Sequence, residues 1–159
     1  MAAQTQAPPY GSYAALVGIF GAGLTGAAAL AHMLGKRPER LTALDLAVLV
    51  GATFKAARTV TSDEVLSFVR DPFVQEAAHE GDEHEVESGG PRQAIGELVT
   101  CSRCIGVWAA AGLVSAHTLA PRTGRLLTWS LAAAGANDWL QAGFAALTSK
   151  ANELEQRAG

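Results

Sequence analysis

Charge is scarce in this chain. Of 159 residues only 17% are Asp, Glu, Lys or Arg, and the formal net charge is -3. That balance excludes nucleic acid as a main partner, because phosphate recognition rests on dense Lys and Arg. Aromatics are also few, at 6%. There are two cysteines, Cys101 and Cys104, which excludes a small secreted scaffold stapled by disulfides. No stretch alternates apolar and polar residues as a half-buried strand does. The fold class is therefore all-α. Disorder is excluded as well, since 49% of the residues are hydrophobic.

What is present is an uneven distribution. The mean hydropathy of +0.17 would pass for a soluble domain, but charges are nearly absent from long Ala/Gly/Leu stretches and dense between them. Residues 1–12 are small, polar and Pro-containing, and read as a flexible tail. Residues 13–34 then run without an acid, Lys or Arg. About 20 apolar residues cross a bilayer as a helix. A signal peptide is the competing reading, but it needs a basic start and a shorter apolar core. A retained membrane helix is expected. Within it Ala14, Gly18, Ala22 and Gly26 recur every fourth residue, a small-residue strip that lets another helix approach closely.

Three further apolar runs follow, over residues 41–54, 105–120 and 126–147. The first stretches to Ala57 if Lys55 snorkels. The first and second runs are separated by the basic residues 36–40, and the third and fourth by the basic residues 121–125. The expected architecture is a small polytopic membrane protein with about four transmembrane helices in two hairpins, 13–57 and 101–147. A polar middle, 58–100, separates the hairpins, and 148–159 forms a C-terminal tail. The soluble alternative is an Ala-rich helical bundle whose core helices mimic spans. Short cytoplasmic loops are enriched in Lys and Arg, and the two hairpin loops hold five of the twelve. That favours cytoplasmic hairpin loops, with tails and middle outside.

In the middle region Thr61 and Glu64 match a capping box. Val65, Leu66, Phe68 and Val69 then offer one apolar face before Asp71 and Pro72 force a stop. This predicts an interfacial amphipathic helix. Arg58 and Arg70, with Asp63 and Asp71 nearby, suit lipid phosphate or an ion pair clamping this helix, and equally well ordinary solvated charge at the interface. Residues 79–90 are acidic and Gly-rich, without calcium-loop spacing.

The most distinctive residues are Cys101 and Cys104, where the polar middle meets the third apolar run. A helix N-terminus lowers thiol pKa values, and Arg103 adds positive charge. Three readings stay open. A structural zinc site needs four ligands, which His79 and His84 would complete. A thiol–disulfide pair is the second. The third is two small apolar side chains buried at a helix start. The remaining candidates are polar groups inside apolar runs: Asp45, Asn137 and Asp138, with His32 and His117. Charges at mid-bilayer face the bundle interior and pair. Their readings are an interhelical bond or an ion path.

The pattern resembles a bacterial family of small integral membrane proteins, domain of unknown function family 1360, which includes a Bacillus sporulation protein. The resemblance rests on Arg58 to Asp63, on Arg70 with Pro72 and Phe73, and on the block Gly96, Glu97, Leu98, Cys101, Cys104, Gly106 and Trp108. It covers residues 40–145. Ser102 departs from the family's commoner Pro, and His79 and His84 belong to no family motif, which weakens the zinc reading. The resemblance implies membrane location and no established reaction.

The expected function is a non-enzymatic accessory or assembly protein of the bacterial inner membrane, without a cofactor. Its partners would be the bilayer, other membrane helices, a larger complex or further copies. A metal-binding or thiol-redox protein using Cys101 and Cys104 is the alternative. An oligomeric ion or proton transporter around Asp45 and Asp138 is the third.

Overall fold

The computed structural model describes residues 8–36, 40–74 and 89–158. Among them every regular element is helical: α1 (Tyr10–Met33), α2 (Ala43–Thr61), α3 (Ser67–Arg70), α4 (Gly90–Thr100), α5 (Ser102–Leu119) and α6 (Pro121–Ala158). Short 3-10 turns flank α3 at Glu64–Leu66 and Asp71–Phe73. The all-α expectation holds.

Local chemistry sets the helix ends. α1 stops where Gly35 takes a positive φ of 62°. Lys36 N–H then reaches Ala31 O at 2.8 Å, so a left-handed glycine closes the last turn and satisfies its carbonyls. At the start of α2, Asp45 N–H donates to Thr42 Oγ1 at 3.2 Å, while Thr42 N–H donates to Asp45 Oδ2 at 3.0 Å. This is a reciprocal capping box. It lies at Thr42 and Asp45 rather than at Thr61 and Glu64.

The expected amphipathic helix after Thr61 is absent as a continuous element. Glu64 to Phe73 instead makes three short turns. The cause is Arg70, which is 2% exposed and folds its guanidinium back under the segment. One terminal nitrogen donates to Val60 O at 2.8 Å and Asp63 O at 2.9 Å. Satisfying the carbonyls at the end of α2 outweighs continuing the apolar stripe. The helix that turns across the others is α4, which meets α5 at 82°.

α2 is central, packed against both α5 and α6, while α1 leans on α4 and α5. Small residues let these helices close. Ala52 and Ala57 are buried on α2. Gly51 faces Ala132, Gly106 faces Ala57, and Gly135 sits under Lys55. The strip on α1 is not used in this way. Gly18 and Gly26 border open space, and Ala14 and Ala22 are exposed.

The second hairpin is tighter than the sequence suggests. Residues 121–125 are the first turn of α6, with Pro121 at its first position, and Ala120 alone links it to α5. A Cβ on Gly124 would lie 2.6 Å from His117 N and 2.7 Å from Ala116 C. His117 Nε2 meets Thr128 Oγ1 at 2.7 Å, and that hydroxyl donates to Gly124 O at 2.8 Å. α6 continues through residues 148–158 as helix rather than as a tail, with Glu153 paired to Lys150 and Arg157.

Among the described residues one helix, α1, is by length and apolarity fit to cross a membrane, or two spans if α4 and α5 count as one bent pair. This lowers the expected count of four. The reason is compositional. α2 carries Asp45, Lys55 and Arg58 within 19 residues. α5 has 18 residues including Arg103 and His117. In α6, Asn137, Asp138 and Gln141 interrupt the apolar run.

Candidate functional site

α4 starts at Gly90, which like Gly89 before it has a positive φ, and Pro91 lies in its first turn. It ends at Thr100, and Cys101 takes an extended conformation, φ -96° and ψ 104°. That single residue forms the corner. Cys101 Sγ accepts a hydrogen bond from Cys104 N–H at 3.3 Å, so the sulfur caps α5. The two cysteines, 5.2 Å apart at Cα, form a disulfide.

Cys104 also lines a cavity of about 350 Å³ between α1, α4 and α5. Leu16, Val17, Phe20, Leu98, Val107 and Trp108 make it apolar. Phe20 and Trp108 meet edge to face, ring centroids 5.1 Å apart, a favoured aromatic geometry. One polar cluster breaks the apolar wall. Tyr13 Oη donates to Glu97 Oε2, and Gln93 Nε2 donates to Glu97 Oε1 at 2.9 Å.

A second polar centre lies where α2 meets α6. Lys55 Nζ contacts Asp63 Oδ2 at 3.0 Å and Asp138 Oδ2 at 2.9 Å. Burial works to raise the Asp63 pKa, but hydrogen bonds from Lys55 and Thr59 and the charges of Lys55 and Arg58 hold it below the ordinary value.

The structure gathers much of the motif block into one place. Glu97, Leu98, Cys104 and Trp108 line the cavity, Gly96 is buried on α4, and Gly106 lets α5 approach Ala57. Arg58 is exposed, and its carbonyl accepts from Ser62 and Asp63. Pro72 and Phe73 sit in the last 3-10 turn. Asn137 is exposed. Asp45 caps α2, ten residues or about 15 Å of helix rise from Lys55, the partner of Asp138. The two acids therefore do not share a site. His32 is exposed at the end of α1. His79 and His84 lie outside the described residues. Among the described residues no three His, Cys, Asp or Glu side chains cluster as metal ligands would.

Sequence reasoning missed Tyr13, Phe20 and Lys55 as site residues. Lys55 left a trace, as a lone cation three turns into a helix and eight residues before Asp63. Tyr13 left none, because 84 residues separate it from Glu97.

These features define a class: a small helical protein with a cysteine pair at a helix corner beside an apolar cavity. The chain belongs to the family described as protein of unknown function (DUF1360), which matches residues 48–144. It is similar to sporulation protein YjcA of Bacillus subtilis, 30% identical over 101 residues, covering 60% of this chain and 86% of that one. It is also similar to UPF0713 protein YngL of the same organism, 28% identical over 104 residues, covering 65% of this chain and 80% of the relative. No solved structure matches.

Proposed function

We propose that this chain is a multi-pass accessory or assembly protein of the bacterial cell envelope membrane, with α1, α2, α5 and α6 crossing the bilayer. One observation carries the reading. The large apolar side chains face outward. Val17, Ile19, Val50, Val107, Leu126 and Leu127 are 47–71% exposed, whereas among the described residues the only buried apolar side chains larger than Ala are Val74, Val99 and Leu113. A water-soluble domain of this size buries its large aliphatic residues, and contiguous exposed apolar surface marks a membrane or a partner. Most charges on α2 and α5 sit towards helix ends, and Asp138, midway along α6, is paired to Lys55. Asp45 and His117 lie near the hairpin loops, and Lys55, Asp63, Asp138 and the cysteines near the opposite face. α4 and the turns from Glu64 to Phe73 then lie along that opposite face. The finer count of four is tested by single-cysteine labelling at residues 40, 62, 120 and 150 in intact cells, in a chain lacking Cys101 and Cys104. The reading expects 40 and 120 on one side and 62 and 150 on the other. Any other partition removes it.

A second reading is favoured by the cysteine geometry. Cys101 and Cys104 are paired across one helix corner, and Cys104 lines the cavity. This supports a reversible thiol–disulfide couple on the side away from the basic hairpin loops. Thiol trapping with a heavy maleimide, before and after reductant, reads its state in cells. A pair that accepts label fully without reductant under every growth condition excludes the couple.

A further inference from the structure

We propose that the cavity beside Cys104 binds the head ring of a membrane quinone, and that the quinone is the electron acceptor that closes the Cys101–Cys104 disulfide. This rests on the thiol–disulfide reading above and adds its missing oxidant.

Four observations converge. The cavity, at about 350 Å³, falls at the small end of ligand sites, enough for one ring and the start of its chain. Its walls are apolar, and Phe20 with Trp108 supplies two aromatic rings against which a flat ring packs. Glu97, held by Tyr13 and Gln93, puts one acceptor carboxylate in the wall, which suits an apolar ring whose reduced form carries hydroxyl donors. A saturated acyl chain would leave the Glu97 carboxylate facing hydrocarbon, an unfavourable pairing. Finally Cys104 lines the same cavity as Glu97, so one cysteine of the pair and a carboxylate border the same space.

The chemistry balances as dithiol plus quinone giving disulfide plus quinol. Cys104 Sγ adds to the quinone ring as its proton leaves. Cys101 Sγ then attacks Cys104 Sγ. The S–S bond forms, the carbon–sulfur bond breaks, and its electron pair stays on the ring. Two electrons have left the sulfurs, and the two thiol protons end on the quinol oxygens. Glu97 takes up the proton released by Cys104 and returns it to the ring oxygen. Tyr13 and Gln93 hold that carboxylate in place.

The test uses the full chain, reduced, in lipid nanodiscs and mixed with decylubiquinone. Thiols and quinol are measured together. The proposal expects the two thiols to disappear for each quinol formed. Leu16→Trp, which adds bulk to the cavity wall, and Trp108→Ala, which strips it, should each slow the quinone reaction by about tenfold. Oxidised glutathione should close the disulfide equally fast in wild type and both variants, showing that they remain folded with accessible sulfurs. Oxidation by glutathione without oxidation by decylubiquinone overturns the quinone site and leaves the thiol couple standing. Equal quinone rates in wild type and both variants overturn the cavity assignment. Thiols that neither reagent oxidises overturn the couple itself, and the quinone site with it.

Discussion

Lys55 on α2 and Asp138 on α6 stand 2.9 Å apart, nitrogen to oxygen, and the same ammonium reaches Asp63 at 3.0 Å. One cation thus joins two helices and the segment that follows α2. Gly135 eases this approach, because a Cβ added there would crowd the Lys55 Cβ at 3.2 Å.

Removing Lys55 should hurt more than removing Asp138. Lys55→Met leaves two carboxylates without their cation, whereas Asp138→Asn leaves Lys55 with Asp63. The Lys55 side chain is 17% exposed and that of Asp138 43%, so solvent or headgroup screening trims the second effect. Lys55→Met is expected to cost about 2–3 kcal/mol. The double variant should cost less than the sum of the singles, because the residues interact directly. Unfolding by SDS in mixed micelles measures all three.

Gly124 and Gly143 give opposite outcomes on one helix. Alanine at 124 would drive a Cβ into the α5 backbone and should cost about 1–3 kcal/mol by overpacking. Alanine at 143 meets nothing within 4 Å and should add up to about 1 kcal/mol of helix propensity. The same micelle unfolding assay distinguishes them. Equal effects would remove the close-packed corner at Ala120.

Arg70 is buried with a forked contact to two carbonyls, while its Nε has no partner. Arg70→Met should release the segment after α2 and cost about 2–4 kcal/mol. Arg70→Lys should recover only part, since a shorter side chain would carry a more strongly hydrated cation into the same buried position. Limited proteolysis between residues 62 and 74 should rise in the order wild type, Lys, Met.

Asp63 makes that segment pH-sensitive in one direction. Its pKa is lowered below the ordinary 3.8, so the folded form holds its proton more weakly than the unfolded form does. The stabilisation is complete above the unfolded value and is lost as pH falls through the folded one. Wild type should therefore outlast Asp63→Asn at neutral pH. The two should converge only below about pH 4. A difference that grows on acidification would reverse the sign.

The sequence announced helices where apolar runs are long and ends are chemically marked. Gly35 and Pro121 both fall at helix boundaries, as their backbone preferences require. The cysteine block was legible because Glu97, Cys101, Cys104 and Trp108 lie on neighbouring turns around one corner. The middle was misread because Thr61 and Glu64 satisfy a local capping pattern, while the decisive contact is made by Arg70 with carbonyls seven and ten residues back. Local pattern sees side-chain spacing and not orphaned carbonyls. The partners of Glu97 and Asp138 were illegible for a simpler reason. Tyr13 and Lys55 sit on other helices, and only tertiary packing puts them there.

α6 has 38 residues and so measures about 57 Å, against a hydrocarbon slab of about 30 Å. Tilting does not hide it: at about 40°, the top of the usual range, its projection is still about 44 Å. Set in a bilayer, the helix works as a stiff mast. Any tag fused after Gly159 would stand clear of the lipid headgroups at a fixed height, and its position would report directly how deeply the bundle sits.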